Sequence, residues 1–191
     1  MPSLKGTRTE KNLLAAFAGE SQARNRYTFA AGVARKEGYR QIEAFFLETA
    51  DNEREHAKVF FNHLEGGMVE ITASYPAGGT GTTLENLLAA ASGEHEEWAE
   101  LYPKFAEIAK QEGFPAIATS FTMIARVEKE HEVRFRKLAD NVQRGKAFKK
   151  DEPARWKCRN CGYVHDGTEP PNQCPACKHP QEHFEVKEAN Y

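Results

Sequence analysis

Four stretches of this chain repeat apolar residues at alternating three- and four-residue spacing, the period of a helix with one buried face. The first runs Leu13, Phe17, Glu20, Tyr27, Ala31, Ala34, and the second Ile42, Phe45, Phe46, Thr49, Glu53, His56, Phe60. The third reads Leu87, Ala91, Glu94, Leu101, Phe105, Ile108, and the fourth Ile117, Phe121, Ile124, Glu128, His131, Phe135, Leu138. Helices are predicted over about 5–37, 39–65, 83–112 and 115–145. Gly38 and Gly113 stand where a C′ residue would end the first and third, and Pro115 suits the first turn of the fourth, which Gly145 ends. So few residues join the helices of each pair that each pair must be an antiparallel hairpin. The segment between the pairs, 66–82, holds Gly66-Gly67, Pro76 and Gly78-Gly79, and it is long for a bundle. It can reach about 55 Å, more than the ~40 Å length of a helix of this size. Such a connection can run back along the whole bundle and set the second and third helices parallel. The expected class is an all-α four-helix bundle with one long crossover.

Each apolar stripe carries a carboxylate. Glu53-Arg54-Glu55-His56 and Glu128-Lys129-Glu130-His131 are two copies of Glu-x-x-His, each preceded by a Gly-Glu pair, Gly19-Glu20 and Gly93-Glu94. Positions three apart share a helix face, so each Glu and His point the same way. A buried unpaired charge costs several kcal/mol, and four of them in one core require cations. Four carboxylates and two imidazoles form the ligand set of a pair of iron or manganese ions. The competing account, two surface helices rich in Glu and His, conflicts with the apolar stripes.

The helical part is an internal duplication. Tyr27 and Tyr102, Glu53 and Glu128, and His56 and His131 share an offset of 75, whereas Glu20 and Glu94 differ by 74. The second copy has one extra residue between Glu94 and Tyr102, and a one-residue insertion in a continuing helix is commonly absorbed as a π-bulge beside a functional site. Glu97 follows Glu94 by one turn, where the first copy has Ala23. It is expected as a seventh ligand; the alternative is an exposed residue of the acidic stretch Glu94-His95-Glu96-Glu97. Glu96 is expected in solvent, and His95 in solvent or behind the ligands. Tyr27 and Tyr102 are either core aromatics or hydrogen-bond partners of ligand carboxylates, and His63 is placed at the bundle end.

A net charge of −2 over 191 residues supplies no basic footprint for nucleic acid or acidic membrane. The N-terminus lacks the apolar core of a signal peptide, and no apolar run approaches the ~20 residues that span a bilayer, so a cytoplasmic location is expected. All four cysteines, Cys158, Cys161, Cys174 and Cys177, fall in one short window. Two Cys-x-x-Cys pairs read as a four-thiolate metal site rather than a disulfide framework. Residues 146–153 read as a linker, dividing the chain into a bundle domain, 1–150, and a small domain, 151–191. The small domain is too short for a self-sufficient core, so metal should organise it, with Trp156, Tyr163, Phe184 and Val186 packed around the site. His165, His179 and His183 are expected at its surface.

Together these motifs resemble rubrerythrin, a ferritin-like di-iron bundle followed by a rubredoxin-like β-rich domain, over essentially the whole length. Two departures are Lys178, where rubredoxins usually have Gly after the last cysteine, and a much shorter stretch between the cysteine pairs. The resemblance implies two iron ions on Glu20, Glu53, His56, Glu94, Glu97, Glu128 and His131, and one on Cys158, Cys161, Cys174 and Cys177. It implies a non-haem peroxidase that reduces hydrogen peroxide to water, fed by an external reductase or small redox carrier linked to NADH. It further implies exchange of neutral His56 for anionic Glu97 on one iron upon oxidation, and a head-to-tail homodimer. An O₂-reducing oxidase, a ferroxidase or iron store, and a zinc-ribbon module are the rival readings.

Overall fold

The computed structural model describes residues 3–188. Its bundle comprises α1 (Arg8–Lys36), α2 (Arg40–Asn62), α3 (Thr83–Glu96), a π-helical segment (Glu97–Leu101), α4 (Tyr102–Gln111) and α5 (Pro115–Gln143). Thr7 caps α1 by accepting from the Glu10 N–H, and Thr82 with Glu85 forms a reciprocal capping box on α3. Gly38 and Gly113 close their hairpins at φ 81° and 86°, a left-handed geometry that favours glycine. The second helix stops at Asn62, slightly short of its expected end.

The crossover does run the length of the bundle. At its start Glu65 accepts from the Leu4 N–H (3.1 Å), just before α1; at its end the Thr83 N–H donates to Glu37 (3.0 Å), just after α1. Midway, the Tyr75 hydroxyl donates to the Ala15 carbonyl (2.8 Å). At the far end of α4, Glu112 accepts from Thr9 Oγ1 (2.7 Å). The third helical stretch therefore runs antiparallel to α1 and parallel to α2, the ferritin-like arrangement.

Polar groups divide the apolar core in two. One cluster centres on Tyr27, Phe46, Leu87 and Phe135, and the other on Leu13, Phe60, Tyr102 and Phe121. The expected stripes hold on three helical stretches. On the third the buried residues beyond Glu94 are Tyr102, Ala106 and Ala109, while Leu101, Phe105 and Ile108 are half-buried. The extra residue in the π segment turns the rest of the helix by roughly 100° relative to an uninterrupted count, so a stripe extrapolated at constant period lands at the edge of the core, where Leu101 and Phe105 pack against the buried cluster.

The small domain is an antiparallel sheet of order β2-β1-β3, from β1 (Ala154–Cys158), β2 (Val164–Gly167) and β3 (Phe184–Val186). Trp156 and Phe184 are buried beside Cys158 and Cys174, with Tyr163 and Val186 packed against them. The domain meets the start of α2 through the Arg40–Glu182 ion pair (3.0 Å), and Phe148 stacks on Tyr39 at 6.0 Å. Among the described residues no helix is long and apolar enough to cross a membrane.

Candidate metal centres

Glu20, Glu53, Glu94 and Glu128 project from α1, α2, α3 and α5 into the gap between the apolar clusters, each no more than 1 % exposed. His56 and His131 join them one turn after Glu53 and Glu128. Two sets of donor atoms converge, each within 4.8 Å: Glu20, Glu53, His56 and Glu128 in one, and Glu53, Glu94, Glu128 and His131 in the other. Glu53 and Glu128 belong to both, which is the geometry of two bridging carboxylates. Each set then has its own carboxylate and imidazole. His56 Nδ1 lies 2.8 Å from Glu128 and 3.0 Å from Glu53; His131 Nδ1 lies 2.8 Å and 3.2 Å from the same residues.

The site passes a test of fit for cations. Glu20 Oε2, Glu53 Oε1, Glu94 Oε2, both Glu128 oxygens and His131 Nδ1 are buried with no hydrogen-bond partner. So many orphaned acceptors would destabilise the fold by several kcal/mol each. Their atoms converge to within 4.8 Å of one another in two groups, and a cation in each group would satisfy them.

Without cations the cage holds protons. Burial raises Glu20 well above its usual pKa, with Glu97 the first of the charges acting in the same direction. Burial, then Glu53, lifts Glu94 to about 8, against the pull of His131. Burial opposes the charged form of both imidazoles, but Glu128 and Glu53 overcome it and take His56 to about 9 and His131 to about 12. Glu53, despite burial, is held near 2 by His131 and His56.

Both tyrosines are hydrogen-bond partners of ligand carboxylates, and they are cross-paired. Tyr27 on α1 donates to Glu94 Oε1 (2.5 Å), while Tyr102 donates to Glu20. Each half of the duplication thus orients the other half's carboxylate. Burial and those carboxylates raise both phenols well above their usual pKa, keeping them donors.

Glu97 opens the π segment and lies outside both donor sets. It lines a cavity of about 370 Å³ beneath the crossover, with Arg26, Tyr75 and Tyr102. Burial and then Glu94 raise its pKa well above the usual carboxylate value, and Arg26 opposes them.

Glu96 is exposed as expected, and His63 pairs with Ser120 Oγ (2.9 Å) away from the cage. His95 contacts Glu132 (3.0 Å), a buried residue that the periodicity did not single out. Burial works against ionised Glu132, but donors from Trp98, Arg136 and His95 hold it near 2. Asn52 also escaped notice: its Oδ1 accepts from His131 Nε2 (3.3 Å). Neither carried a motif, and only the fold brings them to their partners.

In the small domain all four cysteines are free thiols with their sulfurs within 4.8 Å of one another. Cys158 and Cys177 are 3.8 Å apart, and Cys161 and Cys174 3.6 Å. Thiolates at metal–sulfur distances of about 2.3 Å around a tetrahedral ion stand about 3.8 Å apart, so the set fits one ion and no disulfide. The two loops have one design. The Cys158 N–H donates to Tyr163 and the Gly162 N–H to Cys158; likewise Cys174 donates to His179 and Lys178 to Cys174. Gly162 and Lys178 occupy equivalent left-handed positions, φ 81° and 63°, and the lysine pays the steric cost of its Cβ there. Cys161 is exposed. His165, His179 and His183 are partly exposed and belong to none of the donor sets.

A ferritin-like bundle with a carboxylate-bridged two-metal cage, joined to a tetrathiolate domain, defines a class of di-iron redox proteins. The rubrerythrin family profile matches residues 11–139, and the rubrerythrin rubredoxin-like domain matches 156–185. The chain is 60 % identical to a rubrerythrin of Porphyromonas gingivalis over 99 % of its own length and 94 % of that protein's. It is 55 % identical to a rubrerythrin of Nitratidesulfovibrio vulgaris, covering all of both chains. The solved structure of partially reduced nigerythrin superimposes with a TM-score of 0.63 at 30 % identity, over 97 % of this chain and 88 % of that one. This chain belongs to the rubrerythrin family, with di-iron ligands in its bundle and a rubredoxin-like four-cysteine site in its tail.

Proposed function

We propose that this oxidoreductase is a peroxidase that converts hydrogen peroxide, two electrons and two protons into two waters. One observation carries the reading: a single chain holds a two-metal cage and a separate four-thiolate site suited to one-electron transfer. Two ferrous ions bound in the cage would supply the electron pair that cleaves the O–O bond, and the four-cysteine iron would return electrons singly from an NADH-linked reductase or small carrier.

The chain's own residues set the conditions. Glu53 and Glu128 hold the two positions at fixed separation, and Tyr27 and Tyr102 fix the two outer carboxylates. Glu97, the first of the charges that raise Glu20, would by this reading replace His56. A carboxylate in place of a neutral imidazole adds one negative charge when oxidation makes the centre more positive.

The tail meets the start of α2 at Arg40. By the likeness to rubrerythrins, electrons would come from the tail of a partner in a homodimer.

The test uses the intact, iron-loaded protein, reduced and freed of reductant, then given equal amounts of peroxide or O₂. Oxidation of both iron sites should be many times faster with peroxide. Equal or faster oxidation by O₂ would replace this reading with an oxidase. A colourless tail that retains zinc after expression with ample iron would remove the relay.

A further inference from the structure

The duplication makes the two halves of the cage nearly equivalent, yet the imidazoles are held differently. His131 Nε2–H donates to Asn52 Oδ1, which turns Nδ1 toward Glu53, Glu94 and Glu128 as the nitrogen available to a metal. Asn52 immediately precedes Glu53. Its counterpart at the repeat offset of 75 immediately precedes Glu128 and is Val127, which has no polar atom to accept a bond from His56. Among the described residues no protein group bonds His56 Nε2; all the contacts of this ring are made by Nδ1 or by stacking.

A second asymmetry coincides with the first. Glu97 shares its cavity with Gly19, the neighbour of Glu20, and with Tyr102, which donates to Glu20, and the repeat-equivalent position in the other half is Ala23, buried and apolar. The half with an alternative ligand is also the half whose imidazole lacks an anchor.

We propose that Asn52 is a positioning residue that locks His131 as a permanent ligand, and that Val127 leaves His56 free to be displaced. The second clause rests on the ligand exchange put forward above; the first does not. Hydrogen bonds to the far nitrogen of a ligating imidazole fix its tautomer and direction, and losing one typically costs ten- to a hundredfold in metal affinity.

The test starts from full-length protein with its tail site loaded and its bundle metal-free, titrated with Zn(II) by calorimetry. Asn52→Leu should weaken one bundle site by roughly ten- to a hundredfold and leave the other near its original affinity. Asn52→Gln, which restores the acceptor, should recover most of the loss. Val127 is 39 % exposed, so Val127→Asn is accommodated. With iron in the cage it should raise the di-iron reduction potential, because an anchored His56 favours the reduced form. Unchanged Zn(II) affinities in Asn52→Leu, or equal loss at both sites, would overturn the anchor. A one-site loss with an unmoved Val127→Asn potential would keep the anchor and refute the exchange. Loss of peroxidase preference alone would touch neither result.

Discussion

The proposed exchange trades a neutral ligand, His56, for an anionic one, Glu97. An imidazole leaves the charge of the centre unchanged, whereas a carboxylate lowers it by one in a site where water cannot screen it. Glu97→Ala should leave the reduced centre assembled, because the six converging donors remain. It should raise the di-iron reduction potential and slow oxidation by peroxide at least tenfold, with iron content almost unchanged. His56→Ala should lower the potential. Potentiometry and stopped-flow oxidation check both. Loss of iron from Glu97→Ala in both oxidation states would make Glu97 a permanent ligand and end the exchange model.

At the scale of the element, the π segment carries the difference between the two halves. The five residues Glu97–Leu101 interrupt an otherwise continuous helix between Glu94 and Tyr102. Tyr102 is clamped by Phe60 and Phe121 in one apolar cluster, so the downstream face cannot rotate. Removing one residue, the exposed Ala99, should convert the segment to α-helix and restore the seven-residue spacing that Glu20 and Tyr27 have in α1, with Glu94 and Tyr102 kept on one face. Bundle metal should stay at two ions per chain by elemental analysis, with the four-cysteine site still filled. Loss of a bundle ion would mean that the π geometry itself positions Glu94.

Across the whole molecule, the charged cage makes stability depend on metal. In the metal-free chain Glu94 stays protonated to about 8 and His56 to about 9, both above their unfolded values. The folded state then holds more protons than the unfolded state between about pH 5 and 9, so unfolding free energy falls as pH rises through that window. The stabilisation from protonated His56 is fully present below about pH 6.5 and lost as pH passes about 9. Loss on the order of 3 kcal/mol is expected. Bound cations replace those protons, so the loaded protein should lose far less. Urea unfolding of both forms at pH 6 and pH 9 measures this. A metal-free protein with equal stability at both pH values would show that the cage relaxes its charges by hydration.

Much of this architecture could be read from one dimension because its causes are local. The face on which Glu53 and His56 lie follows from their spacing, the hairpins from Gly38 and Gly113, and the π segment from one residue of mismatch between Glu94 and Tyr102. The reach of 66–82 implied the parallel second and third helices. The cysteine pairs implied their ion because thiolates three apart in a tight loop share one centre. Relations between helices were decided only by tertiary structure. Periodicity says that Tyr27 faces inward, but packing of the two halves gives it Glu94 rather than Glu20. It also makes Glu53 and Glu128 the shared carboxylates, turns the third helix to bury Tyr102 instead of Leu101, and brings Asn52 to His131. These contacts join residues far apart in sequence, and their partners depend on the distance and rotation between helices, which no single helix's pattern contains.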